Sequence, residues 1–412
     1  MPTTQQALSD RTLNRTLLER QLLLHRTGRS AYDVTKWLLG LQSQTPSSPY
    51  PGLWSRIGEF GFGEVGRLLV ERKVVRLALM RSTVHLVTAQ DAPRLRQWLA
   101  PYLDRTFRSS TAARGAAPAD RAEVVAYGSA LLREHPRSPA ELRAAFAERF
   151  PAADPAALVN ALRSWVPLVQ VPPRGVWGEP GGTVYALLDD WLGEGPHATP
   201  HATPHTTPDP GPDPAELVRR YLAAFGPASV ADMQKWCGLT GLKPHFTAQD
   251  LRTYTARDGR PLYDLPEAQL TDPDTPVSAR YVADFDNLLL SHADRTRIVP
   301  EAYRSRVMTA NGLVHGTILV DGFVAGTWRF ATARAQAQAQ AQAQARAKEK
   351  SQAQATAKAK AKAQPKGAAT VAVTPFAPLA AADRDALTAE GLRLLAAAYP
   401  QAAHDVTFAA AN

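Results

Sequence analysis

A single cysteine, Cys237, stands in a chain of 412 residues. That excludes an intrachain disulfide and a multi-cysteine zinc site, fits a reducing compartment, and leaves Cys237 as a small core residue. Long apolar runs are also missing. Nothing approaches the roughly 18–20 residues that cross a bilayer, and Met1-Pro2-Thr3 opens no charged-then-apolar leader, so neither a membrane span nor a signal peptide is expected. The expectation is a cytoplasmic protein with no membrane partner. Acidic residues are outnumbered, 38 Asp+Glu against 47 Lys+Arg, for a net charge of +9. Between Ala331 and Lys366 eight basic residues face Glu349 alone, so this one segment carries +7 and leaves +2 for all the rest. A high isoelectric point alone is therefore poor evidence of DNA binding here; the placement of the arginines decides. Lysine outside that segment is confined to Lys36, Lys73, Lys235 and Lys243.

What is present repeats in outline. Asn14 to Arg26, capped by Asn14, and a second helix opened by Ser30-Ala31-Tyr32-Asp33 with a stripe of Ala31, Val34, Trp37, Leu38 and Leu41 precede a run rich in Val, Leu and Thr from Val75 to Thr88. Helices followed by a ribbon is the order of a winged helix. The order recurs with helices over 122–134, 138–150 and 155–165 and a hairpin between Leu168-Val169-Gln170-Val171 and Thr183 to Leu188. It recurs again with helices from Pro214 and Ser229 and a ribbon turning at Asp258-Gly259. From Ser278 onward strands dominate. The expected architecture is α+β: three tandem winged helices over 10–113, 118–196 and 214–272, then a C-terminal antiparallel β-barrel over 276–412. Residues 197–213, with three His-x-Thr-Pro repeats, read as a stiff linker; on a proline-broken chain His197, His201 and His205 share no helical face, so no metal site is expected. The Ala/Gln/Lys insert at 331–366 has no apolar stripe and reads either as a tolerated insertion or as a source of nonspecific phosphate affinity.

Gln42-Ser43-Gln44-Thr45-Pro46 sits where the second helix is expected to run into a proline. The residue before a proline is driven towards extended geometry, so two amides two residues apart are expected to face one spot at a helix end. Taken alone, they could equally tie off that end. Arg81, Thr83 and His85 fall on one face of the first ribbon, suited to phosphate contacts or to supporting the glutamines, or simply outward-facing.

Five stretches carry a resemblance: 41–46, 51–56, 80–87, 284–295 and 320–328, which read LQSQTP, PGLWSR, MRSTVHLV, DFDNLLLSHADR and VDGFVAGTW. With them the chain resembles the bacterial winged-helix DNA glycosylases of the AlkZ/YcaQ type, over nearly its whole length apart from the His/Thr/Pro repeat and the insert. In that family the catalytic motif is Gln-x-Gln in one branch and Gln-x-Asp in the other; Gln42 and Gln44 match the first. The resemblance implies a monomeric, monofunctional glycosylase acting on double-stranded DNA that contains alkylated purines, N7-alkylguanine and N3-alkyladenine, with crosslinked purines as a further substrate. A glutamine takes no proton at neutral pH, but such a base is already cationic and leaves without protonation, so positioning of a water can suffice. Gln42 and Gln44 are the expected catalytic pair, and Thr45, Arg81, Thr83, His85, Asn287, His292, Arg295 and Arg297 the expected DNA contacts. Asp284, Asp286 and Asp294 could instead engage the nearby arginines in internal salt bridges. No cofactor and no metal are expected. A non-catalytic winged-helix regulator, selecting sequence and indifferent to damage, is the alternative, and a winged-helix scaffold for protein contacts a third.

Overall fold

The computed structural model describes residues 7–193, 213–332 and 368–411. The His/Thr/Pro repeat at 197–208 and the insert from 333 to 366 lie outside the described residues. The chain forms two compact units, one of Met1–Thr275 with Ala283–Val299, the other of Pro276–Val282 with Pro300–Asn412. No described helix is long and apolar enough to cross a membrane.

In the first unit, helix Asp10–Arg20 begins at Ser9, whose hydroxyl accepts from the Thr12 amide. Asn14, expected as the cap, lies inside the helix with its side chain buried and donating to the Arg297 carbonyl at 2.8 Å. Helix Ala31–Trp37 starts at Ser30 as the spacing predicts, and the Ser30 side chain accepts from the Asp33 amide. It ends early. Leu39 and Gly40 turn left-handed at φ 55° and 99°, and the Gly40 amide bonds back to the Thr35 carbonyl at 2.9 Å. Only glycine fits at 40, because a Cβ there would lie 2.5 Å from Val87 Cγ1. Gln42 is therefore not at a helix end: Leu41–Gln42 is a short strand, β1.

The expected Val75–Thr88 strand is a hairpin, β2 (Val74–Ala78) and β3 (Val84–Thr88), reversed through Arg81 and Ser82 at φ 55° and 57°. With β4 (Leu168–Gln170) and β5 (Tyr185–Leu187) they make one antiparallel sheet, ordered β1-β3-β2-β4-β5. Leu77 of β2 pairs with Val169 of β4, so the first two expected ribbons share a sheet. Helices Arg121–Glu134, Pro139–Arg149 and Pro155–Trp165 enclose a core of their own around Leu142, Phe146, Leu158 and Leu162. The middle one begins with the capping box Ser138/Glu141. Further on, helices Pro214–Phe225, Val230–Cys237 and Lys243–Thr247 precede the hairpin β6 (Arg252–Thr255) and β7 (Pro261–Asp264). Tyr221, Phe225 and Trp236 are fully buried, with ring centroids 5.1–5.8 Å apart, in one cluster with Leu77, Leu79 and Val87 of the first hairpin. Each such side chain removed from water contributes about 1.5–3 kcal/mol.

The second unit is a sheet ordered β12-β11-β10-β9-β8, from β8 (Arg280–Val282), β9 (Thr317–Val320), β10 (Phe323–Thr332), β11 (Ala368–Pro375) and β12 (Ala403–Phe408). The expected closed barrel is corrected here: among the described residues β8 and β12 are edges that do not meet. The reason is the helix Ala381–Ala398, which crosses back so that β12 joins parallel to β11 while the other pairs are antiparallel. That helix buries Leu387, Leu394 and Leu395, and the Tyr281 hydroxyl of β8 donates to the Leu387 carbonyl at 2.9 Å. A sheet faced by a helix has its apolar side covered and gains nothing by closing.

Candidate active site

The stretch from Gln42 to Ser48 is held on two sides within the first unit. Gln42 pairs with His85 in the β1–β3 ladder, and the Ser43 amide extends the ladder to the Val84 carbonyl at 2.7 Å. Beneath it the buried Arg76 of β2 donates from Nε to Ser43 Oγ and from Nη2 to the Ser43 carbonyl, both at 2.9 Å. Burial pushes the Arg76 guanidinium down to about 10, so it stays charged at neutral pH. The residue between the two glutamines is thus fixed by backbone and side chain alike.

The two amides are both engaged by the β2–β3 turn. Arg81 Nη2 donates to Gln42 Oε1 at 2.8 Å, while Nη1 of the same guanidinium donates to the Trp236 carbonyl at 2.7 Å. The Val84 amide donates to Gln44 Oε1 at 3.1 Å. Arginine and the peptide N–H donate only, so it is the amide oxygens that face them. Both NH2 groups have no acceptor among the described residues. Gln42 is buried and Gln44, on the bend that follows, is exposed.

His85 is wholly buried. Its Nδ1 lies 3.0 Å from the Thr83 carbonyl and its Nε2 3.3 Å from Arg81 Nη2, which assigns the proton to Nδ1 and makes Nε2 the acceptor. Burial first, and the Arg81 charge second, push its pKa down to about 3. The ring is neutral and orders Arg81. Burial also lowers Arg81 itself to about 10, with Arg295 adding a like charge. Arg81 therefore remains a cation, and Arg81, Thr83 and Arg295 are half-buried.

The run from Asp284 to Asn287 frames the same stretch from a distant part of the chain. Ser48 Oγ donates to Asp284 Oδ1 at 2.8 Å, and the Thr45 hydroxyl bonds the same carboxyl. Asp286 takes two 2.8 Å bonds from Arg56, both partners fully buried. Asn287 donates to the Gly40 carbonyl at 2.7 Å, holding the left-handed turn that delivers β1. His292 and Arg297 are buried as well. His292 Nε2 meets the Phe225 carbonyl at 3.0 Å, and Arg297 donates to the Pro227 carbonyl at 2.8 Å. Asp294 pairs with Arg260 at 2.7 Å. The residues brought to the glutamines are thus Thr45, Arg81, Thr83, His85 and Asn287; His292 and Arg297 sit against the carbonyls that end helix Pro214–Phe225. Ser43, Ser48, Arg56 and Arg76 also build this frame; in the sequence Ser43 and Arg56 are marked only by lying in the motif-bearing stretches, Arg76 only by lying in a strand-like run, and Ser48 by nothing. A cavity of about 350 Å³ lies against Asp10, Arg257, Arg260, Asp294 and Arg297 and shares no residue with the glutamine site.

No curated protein matches the sequence. Among solved structures the fold is similar to that of the Streptomyces sahachiroi DNA glycosylase AlkZ, with a TM-score of 0.69 at 18% identity over 98% of this chain and 100% of that one. The model of a family described as "DNA glycosylase AlkZ-like" matches residues 35–397. Since that match takes in both glutamines, the β2–β3 turn and the run from Asp284 to Asn287, the chain belongs to the AlkZ-like DNA glycosylase family.

Proposed function

We propose that this glycosylase is monofunctional and hydrolyses the N-glycosidic bond of cationic N7- or N3-alkylated purines in double-stranded DNA, crosslinked purines included, with Gln42 and Gln44 positioning the water. The observation that carries this reading is the state of the two amides: each oxygen is pinned by a fixed N–H donor and each NH2 is unspent. An NH2 can donate to one lone pair of a water, and the second lone pair of an amide oxygen can accept from its O–H. The remaining water lone pair is then aimed at C1′. The alkylated base carries its own positive charge, so the breaking bond returns electrons to the ring and the base leaves neutral. No general acid is required.

Thr45, Arg81 and Thr83 are half-buried side chains around this point and suit phosphate or sugar contacts, as does half-buried Arg295, whose charge acts on Arg81. The three groups of helices followed by paired strands support a reading as winged helices, by which such a chain would lie along a duplex. None of the four lysines outside the insert, Lys36, Lys73, Lys235 and Lys243, is among the residues bonded to the glutamines, which favours water over a Schiff base.

The test is single-turnover incubation of the full chain with DNA carrying N7-methylguanine. Wild type is expected to release the free base and leave an abasic site without strand cleavage, and Gln42→Ala and Gln44→Ala to slow release by at least about tenfold. Absence of base release by wild type, or wild-type rates in both folded variants, overturns the reading.

A further inference from the structure

A water attacking C1′ must shed a proton, and neither glutamine can take it. One carboxyl group stands next to the motif with no cation assigned to it. Asp284 is bonded by two neutral hydroxyls, Ser48 Oγ at 2.8 Å and the Thr45 hydroxyl, and among the described residues it has no ion pair. Its neighbour Asp286 is neutralised by Arg56. The backbone between them is strained, with Phe285 at φ 55°, a left-handed conformation that a bulky aromatic residue rarely adopts. Ser48 precedes helix Pro49–Trp54 and is of the residue type that caps such ends, yet it makes no side-chain cap; its hydroxyl goes to Asp284 instead. Strain, a forgone cap and an uncompensated carboxyl group converge beside Gln44-Thr45. A stabilising role would have paired this group, as Asp286 is paired.

We infer that Asp284 is the carboxylate of this site: it accepts the proton of the glutamine-held water as that water attacks C1′. The inference rests on the reading above of Gln42 and Gln44. In the step, the water oxygen forms the bond to C1′, the C1′–N electron pair passes to the alkylated purine and cancels its charge, and one water proton moves to an Asp284 oxygen. Until then the same carboxylate faces the cationic sugar and stabilises it. Burial raises the affinity of Asp284 for a proton above the ordinary carboxylate value of 3.8, against the lowering effect of Ser48 and Thr45. Asp286, though paired with Arg56, adds a smaller push in the same direction.

The experiment is the single-turnover rate of N7-methylguanine release as a function of pH, corrected for spontaneous depurination, with wild type, Asp284→Asn and Ser48→Ala. Wild type should lose rate on the acid side with a midpoint above 3.8. Asp284→Asn should be slower by about 10²–10⁴-fold and lack that acid limb, with DNA affinity kept. Ser48→Ala removes a donor that favours the charged form, so its midpoint should move to higher pH, an effect that a merely structural contact would not produce. Asp284→Asn within about threefold of wild type, or an unmoved limb in Ser48→Ala, overturns the inference alone. If wild type releases no base, the parent reading falls and takes this one with it.

Discussion

Arg81→Met separates a residue that acts on DNA from one that acts through Gln42. The guanidinium divides its two terminal nitrogens between Gln42 Oε1 at 2.8 Å and the Trp236 carbonyl at 2.7 Å, and neutral His85 steadies it. Methionine keeps much of the packing volume and removes every donor. A hydrogen bond from a charged donor contributes about 1.5–3 kcal/mol. If that bond is what aims the Gln42 amide, its loss should appear in the barrier as a roughly 10- to 150-fold slower excision. The assay is single-turnover release of N7-methylguanine at saturating enzyme, so that weakened DNA binding does not enter. Wild type, Arg81→Met, Gln42→Ala and the double variant form a cycle. Once Gln42 is alanine there is no amide left to aim, so the double variant should match Gln42→Ala to within about twofold. Losses that multiply would refute the reasoning and place Arg81 directly on the substrate. Arg81→Lys should resemble the methionine variant, because one ammonium cannot span both acceptors.

Arg56→Met strands the fully buried Asp286 carboxylate and should destabilise the first unit by about 3–5 kcal/mol, read as a lowered urea midpoint, with part of the loss restored in Arg56→Met/Asp286→Asn. Acid should act through His85. The unfolded chain protonates it below about 6.5 and the folded chain not until about 3, so its contribution is complete above 6.5 and shrinks as pH falls, by about 2 kcal/mol at pH 5. Buried His292 is also pushed down, to about 4, and adds in the same direction; a midpoint that did not fall between pH 7 and pH 5 would contradict both. Gly40→Ala forces a Cβ at φ 99° to within 2.5 Å of Val87 Cγ1 and should cost about 1–3 kcal/mol while slowing excision through displacement of β1.

Much of the helical framework was legible because its signals are local. Ser30, Ser138 and Ser229 each mark the helix start that their spacing announces. The end of the second helix is hidden in the sequence because Leu38 and Leu41 continue the apolar stripe past the stop. The informative residue was Gly40, needed for a left-handed turn, and leucine at 39 gives no hint of φ 55°. Alternation across Val75–Thr88 fitted one strand as well as two, since Arg81 and Ser82 carry none of the glycine that usually marks such a reversal. Barrel closure depends on where β12 pairs, a contact decided by the helix before it and not by any pattern in the strands. At the site the glutamines could be named from their motif, but the direction of each amide could not. Those directions come from Arg81 and Val84, and the surrounding frame from Asp284, Asp286 and Asn287, partners more than 200 residues away along the chain.

That separation has a consequence for synthesis. Asn287 reaches back across 247 residues to the turn before Gln42, so a growing or prematurely terminated polypeptide would contain both glutamines long before it contained what orders them. The turn that delivers β1 gains this bond only after the much later segment carrying Asn287 has been made and has folded back on it.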